Sequence, residues 1–147
     1  LAGGMGTGRQ LMACLSLGAD GMVLATRMIV AREIWAHENY KKHLAQLDAG
    51  DTKIIMSTFG DSSRVIDNES TATVLALEAE GITDYEAYRP HVQGTLQKEA
   101  YEAGDWNKGT SSLGQSVEFA GEIESVETIL DGIIAEAAAV RARLNTL

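Results

Sequence analysis

The sequence predicts an α/β protein, and three observations near its start carry that prediction. Leu1-Ala2 leads into the glycine-rich run Gly3-Gly4-Met5-Gly6-Thr7-Gly8-Arg9. Leu11, Met12 and Leu15 then recur at helical spacing. Gly21-Met22-Val23-Leu24 is a short apolar run without polar alternation, closed by the small residues Ala25-Thr26. A run of that kind fits a parallel strand covered on both faces. Leu1-Ala2 reads as the end of a preceding strand, so the chain reads as the C-terminal piece of a larger protein. The order turn, helix, strand, turn places both turns at the C-terminal ends of neighbouring parallel strands, where α/β proteins bind ligands.

The remaining elements follow from caps and periodicity. Thr7 to Leu17 reads as a helix that Gly18 ends in a left-handed conformation, and Asp20 to Leu24 reads as a strand. Ala36 to Leu47 is a mixed polar helix, Lys53 to Thr58 an extended segment, and Gly60 to Glu69 a polar loop. Ser70 caps a helix reaching Glu80, closed by Gly81, and Thr83-Asp84-Tyr85-Glu86 is a capping box opening a longer one. Pro90 inside that stretch kinks or splits it. Gly104 closes the segment, and Asp105 to Gly114 is a loop. The last helix starts near Val126, capped by Ser125, with Ile129, Leu130, Ile133, Ile134, Ala137, Val140 and Leu144 along one stripe that must be buried.

At 147 residues the chain has the length of one ordinary domain, long enough to bury a core. A formal net charge of −9 and a pI near 4.7 oppose attraction to nucleic acid or to an anionic membrane, so neither is an expected partner. No apolar run approaches the roughly 20 residues of a membrane span, and no signal-peptide pattern is visible. A single cysteine, Cys14, suits a reducing compartment, and the cytoplasm is the expected location.

The two turns together read as a phosphate cradle. Glycines at 3, 4, 6 and 8 leave backbone N–H groups uncovered, and the helix that follows points its positive end to the same place. A dinucleotide fingerprint would need glycine where Arg9 stands, and a triphosphate-binding loop would need a Gly-Lys-Ser/Thr ending, so both fail. Ala25 and Thr26 supply further backbone donors and a hydroxyl, while Arg9 and Arg27 add positive charge. The alternative is a plain tight turn followed by a helix cap at Thr26.

Other chemistry-bearing residues give weaker patterns. His37, Glu38 and His43 miss the metalloprotease spacing because Lys41 occupies the place of the second histidine, and no metal site is expected. His91 reads as a surface or packing residue, and Cys14 as a buried inert thiol. The loop Asp105-Trp106-Asn107-Lys108-Gly109 through Ser112-Leu113-Gly114-Gln115 reads equally as a connector and as a segment covering a ligand.

Taken in order, Ala2-Gly3-Gly4-Met5-Gly6-Thr7-Gly8-Arg9, Leu17-Gly18-Ala19-Asp20-Gly21 and Thr26-Arg27 resemble the nitronate monooxygenase family, formerly called 2-nitropropane dioxygenases. Ala36-His37-Glu38-Asn39-Tyr40-Lys41, Arg64-Val65 before Asn68, Gly104-Asp105, and Gly114-Gln115 ahead of Ser125-Val126 continue the resemblance. FMN-dependent enoyl-acyl-carrier-protein reductases are similar over the same stretches. The resemblance implies a (β/α)8 TIM barrel holding FMN by its phosphate, with this chain as the last two strands followed by a mostly helical C-terminal region. Residues 1–35 would then be the last β/α units with the phosphate site, and 36–147 the helical region with its covering loop. Gly3 and Gly4 match the first phosphate turn. Ala25 and Thr26 match the second, where the family has Gly-Thr, and Ser112 is expected as a flavin neighbour. The catalytic base, a histidine, would lie on an earlier strand outside this chain, so the chain alone is expected to be inactive. The implied reaction is FMN-dependent oxidation of an alkyl nitronate by O2 to a carbonyl compound and nitrite. Alternatives are the enoyl reductase and a non-catalytic helical interaction module. Open strand edges lead us to expect association of copies into a homo-oligomer.

Overall fold

The computed structural model describes residues 1–146; residue 147, at the end of the C-terminal region, lies outside the described residues. Helix α1 (Gly8–Ser16) opens on a reciprocal capping box. The Thr7 hydroxyl accepts the Gln10 N–H, and the Gln10 side chain accepts the Thr7 N–H at 3.0 Å. Gly18, at φ 86°, closes the turn after α1. The two segments expected as strands run side by side with a parallel bonding pattern. The Leu1 nitrogen donates to the Gly21 carbonyl at 2.9 Å, and the Val23 N–H donates to the Leu1 carbonyl at 2.8 Å. Those two bonds align the segments but are too few to make regular strands of them.

The last helix, α7 (Val126–Leu144), starts on Ser125, whose hydroxyl accepts the Thr128 N–H at 3.0 Å, and it returns to pack along α1. Ile129 and Ile133 join Ala31 in a core that Leu11, Met22, Leu24 and Met28 complete. The expected stripe is only partly buried: Ile129, Ile133 and Ala137 are covered, whereas Leu130, Ile134 and Leu144 are exposed, Ile134 by 61%. The covered residues repeat every four positions, the single line along which two helices touch.

Between the second turn and α7 the chain builds a unit from α2 (Thr26–Ile29), α3 (Glu38–Leu44), β1 (Thr52–Ile55), β2 (Ser63–Ile66), α4 (Glu69–Ala79), α5 (Tyr85–Val92) and α6 (Gly94–Ala103). Strands β1 and β2 are antiparallel, pairing Thr52 with Ile66 and Ile55 with Ser63. Residues 111–113 flank β2, because the Ile66 N–H donates to the Ser111 carbonyl and the Leu113 N–H to the Arg64 carbonyl. Strand β2 corrects the expectation of a polar loop over Gly60 to Glu69. Its apolar pair, Val65-Ile66, faces two different cores, one with Ile55, Val74 and Tyr88 and the other with Tyr40, Leu44 and Leu113. Polar neighbours on both sides conceal so short a strand.

The cap of α4 is Asn68 rather than Ser70, the Asn68 side-chain carbonyl accepting the Thr71 N–H at 2.8 Å. Pro90 lies within α5, and the helix splits three residues later at Gln93, whose ψ of 131° is extended. No described helix is long and apolar enough to cross a membrane.

Candidate functional site

Both turns emerge at the same end of the paired segments. Gly3 and Gly4 hold φ values of 95° and 67°, the left-handed region that favours glycine, and a Cβ on either would meet nothing within 4 Å. The space over this turn is therefore open. Among the described residues the N–H groups of Gly3, Gly4 and Ala25 have no hydrogen-bond acceptor. Thr26 is 7% exposed, and its hydroxyl oxygen accepts the Gly114 N–H at 2.8 Å, which leaves the hydroxyl proton to donate.

The other two glycines of the run do different work, a correction to the expected four-glycine cradle. The Gln10 side-chain oxygen takes the Gly6 N–H at 2.7 Å as well as that of Thr7, and the Gln10 amide donates to the Gly4 carbonyl at 2.9 Å. The Gly8 N–H goes to Glu136 Oε2 at 2.7 Å. A Cβ on Gly6 would run into the Phe119 ring, and one on Gly8 into the backbone of α7. At these two positions the missing side chain allows close packing.

The expected positive charge is also committed. Arg9 Nε pairs with Glu136 Oε1 at 2.8 Å, and Arg27 Nη2 with Glu124 Oε2 at 2.8 Å. Arg27 nevertheless keeps one donor: its side chain is 11% exposed, and Nη1 is buried without a partner.

Ser112 stands elsewhere. It is exposed, bridges to Val65, and lines a cavity of about 310 Å³ with Met56, Asp61, Ser63, Gln93 and Thr110. That cavity has no wall residue from either turn. The link is indirect, through Gly114 two residues further on, which is bonded to Thr26. The preceding loop is tied down: the Asn68 side-chain amide donates to the Trp106 and Gly109 carbonyls at 2.6 and 2.9 Å, and Ser70 bonds Asn107 and Gly109.

Two of the three histidines have structural partners. His37 caps α3 by accepting the Asn39 N–H, and His43 stacks on Trp106 with centroids 4.2 Å apart. Burial pushes the His43 imidazole below its usual range, opposed by Asp51. Cys14 is buried with its sulfur 3.9 Å from that of Met5.

Three residues that hold the site escaped the sequence reading. Gln10 had a signal, the Thr7-x-x-Gln10 spacing of a capping box. Glu136 sits inside an apolar helix stripe and Lys41 inside a polar one, with nothing local to mark either. Lys41 is 5% exposed and donates to the carbonyls of Ala31 at 2.6 Å, Arg32 at 3.1 Å and Ile34. Burial pushes this ammonium below the usual lysine range, with Glu33 and Glu38 acting the other way.

Comparison with known proteins identifies the chain's relatives. The family profile described as nitronate monooxygenase matches residues 1–136. A probable nitronate monooxygenase of Staphylococcus saprophyticus is 32% identical over 104 residues, covering 71% of this chain and 29% of that protein. FabK from Thermotoga maritima superposes with a TM-score of 0.87 at 26% identity, covering 99% of this chain and 45% of FabK. The nitroalkane oxidase of Streptomyces ansochromogenes superposes with a TM-score of 0.69 at 25% identity, covering 97% of this chain and 40% of that one. The chain thus spans less than half the length of these relatives. A profile match over nearly the whole chain, on residues that include both turns, shows that it belongs to the nitronate monooxygenase family, a family of flavin-dependent oxidoreductases.

Proposed function

We propose that this chain forms the phosphate-binding end of an FMN site in an enzyme that oxidises alkyl nitronates with O2. The observation that carries the reading is the parallel pairing of Leu1 with the 21–23 segment, which sets two turns with unpartnered N–H groups side by side beneath open space. The residues present fit the group: a phosphate accepts several charge-assisted hydrogen bonds, and buried Arg27 Nη1 is a further donor beside the second turn. The N–H groups of Gly3, Gly4 and Ala25 and the Thr26 hydroxyl would hold the phosphate. The alanine at 25 keeps the backbone donor and adds one methyl group. Ser112 is the proposed flavin neighbour on the backbone that runs to Gly114 and Thr26. Bound FMN supplies the electron-transfer chemistry, and the protein supplies position and electrostatics. The base that deprotonates or orients substrate is proposed to come from outside this chain, and the paired segments Leu1-Ala2 and Asp20 to Leu24 would be the last two strands of a (β/α)8 barrel, followed by the mostly helical C-terminal region. The proposed partners are the alkyl nitronate and O2, in the cytoplasm.

A second reading, an FMN-dependent enoyl-acyl-carrier-protein reductase, is favoured by the closer superposition on FabK. The test has two arms. In the first, the gene-encoded protein carrying this chain is titrated with FMN and with riboflavin. Gripping the phosphate by charge-assisted bonds of about 1.5–3 kcal/mol predicts roughly tenfold or greater preference for FMN. Gly4→Ala, strained at φ 67°, should lose that preference. Equal binding of the two flavins would refute the cradle. In the second arm, the gene-encoded protein carrying this chain is given propionate 3-nitronate or an enoyl thioester with NAD(P)H. Nitrite release supports the first reading, and NAD(P)H consumption without nitrite supports the second.

A further inference from the structure

Lys41 poses a physical problem. A side chain with a full charge is almost completely buried, and no carboxylate lies within hydrogen-bond reach of it. Its three N–H donors instead meet three main-chain carbonyls, those of Ala31, Arg32 and Ile34. The Ala31 carbonyl also receives the Ile34 N–H, but the carbonyls of Arg32 and Ile34 have no other donor among the described residues. These three belong to the irregular segment that follows α2, and α2 begins at Thr26. That helix has four residues and no side-chain N-cap, so it cannot persist by its own hydrogen bonds. Its position must be imposed from outside, and cation-to-carbonyl bonds at its C-terminal side are the kind that hold such an end in place.

We propose that Lys41 is a positioning residue for the second turn of the cradle, acting as a tethered ammonium ion in a cage of three backbone carbonyls. The part that concerns the cradle rests on the FMN reading above; the cage itself does not. The essential feature is the ammonium head, since the methylene stem could be replaced by any apolar chain. A groove of about 570 Å³, lined by Arg32, Ile34, Ala36, Glu38, Lys41 and Ile123, reaches the cage from solvent. When the stem is cut back, a small free amine can therefore enter and take the place of the head.

The experiment compares the gene-encoded protein carrying this chain with its Lys41→Ala and Lys41→Met variants by hydrogen exchange at the Met28, Ala31 and Ile34 amides, with methylammonium or an equal concentration of sodium chloride. FMN affinity is read on the same samples. Lys41→Ala should lose protection at these amides by tenfold or more and regain most of it in methylammonium but not in sodium. Lys41→Met, whose side chain fills the stem space, should lose protection without rescue. If Lys41→Ala is unfolded, refolding by methylammonium alone is the same result. Native protection in Lys41→Met, or no response of Lys41→Ala to methylammonium, would overturn the proposal. Rescue of exchange with no parallel recovery of FMN affinity would overturn its link to the second turn. A wild-type gene-encoded protein that ignores FMN refutes the FMN reading and with it that link, and leaves the exchange result to decide the cage.

Discussion

Gly8 separates the two uses of glycine in the first turn, and its substitution gives a signed prediction. A Cβ at this position would lie 2.5 Å from the Ala137 nitrogen and 2.7 Å from Glu136 Cβ, with the Ile133 carbonyl oxygen also in the way. Two of the three obstacles are backbone of α7, which cannot rotate aside. Bringing the Ala137 approach out to 3.4 Å, ordinary contact, needs a retreat of about 0.9 Å by one helix. Such overpacking costs about 1–3 kcal/mol. The same retreat stretches the 2.7 Å bond from the Gly8 N–H to Glu136, a charge-assisted bond of about 1.5–3 kcal/mol. Alanine returns at most about 1 kcal/mol through helix propensity. Gly8→Ala should therefore lose about 2–4 kcal/mol, lowering the thermal midpoint by roughly 4–16 °C. Gly132 is the control. It lies within α7, is exposed, and has nothing within 4 Å of an added Cβ, so Gly132→Ala should gain up to about 1 kcal/mol. Thermal or urea unfolding of the two variants beside the wild type decides it. A Gly8→Ala midpoint at or above the wild type would show that the α1–α7 approach is not as close as described.

Asn68→Ala removes the α4 cap and leaves the Trp106 and Gly109 carbonyls without their donor, which predicts a loss of about 2–4 kcal/mol in urea unfolding. Asn68→Asp should recover only the cap, and equal stability of all three proteins would refute the assignment. For His43, the folded state holds the imidazole pKa below its unfolded value, so the unfolded chain binds more protons near pH 6. Stability from this group is present at pH 7.5 and falls as pH drops through the unfolded histidine range. His43→Phe keeps a ring to stack on Trp106 and cannot titrate. Its midpoint should fall less between pH 7.5 and 5.5 than that of the wild type, and parallel pH profiles would count against the assignment.

Where the structure was legible in the sequence, a local rule was enough. The cap at Ser125 and the closing glycines at 18, 81 and 104 mark helix ends because each acts within four residues of itself, whereas the capping box expected over Thr83 to Glu86 is displaced by one, Asp84 being the residue that caps α5. Strand β2 was not legible, since Val65 and Ile66 are both buried by partners far along the chain and show no alternation. The cradle divides the same way. Gly3 and Gly4 announce a left-handed turn, but Gly6 and Gly8, identical as letters, are explained only by Phe119 and by α7, more than a hundred residues later. Arg9 and Arg27 counted as positive charge until Glu136 and Glu124 came to meet them.

This division also says how each half of the site is held. The first turn is a local object: Gln10 takes the N–H groups of Gly6 and Thr7 and donates to the Gly4 carbonyl, so one side chain in α1 sets the shape of the run before it. The second turn has no such resident support. Ala25 carries no capping group, and Thr26, Arg27 and the segment after α2 are held by Gly114, Glu124 and Lys41, all from the inserted unit or the segment that leads out of it. A substitution in that unit can therefore loosen one half of the cradle while the other keeps its form. Grip on a phosphate needs donors from both turns at once. The inserted unit is thus more than a cover for the ligand, because the second set of donors, aligned with the first by the Leu1–Val23 pairing, is held on its other side by that unit and the segment leading out of it.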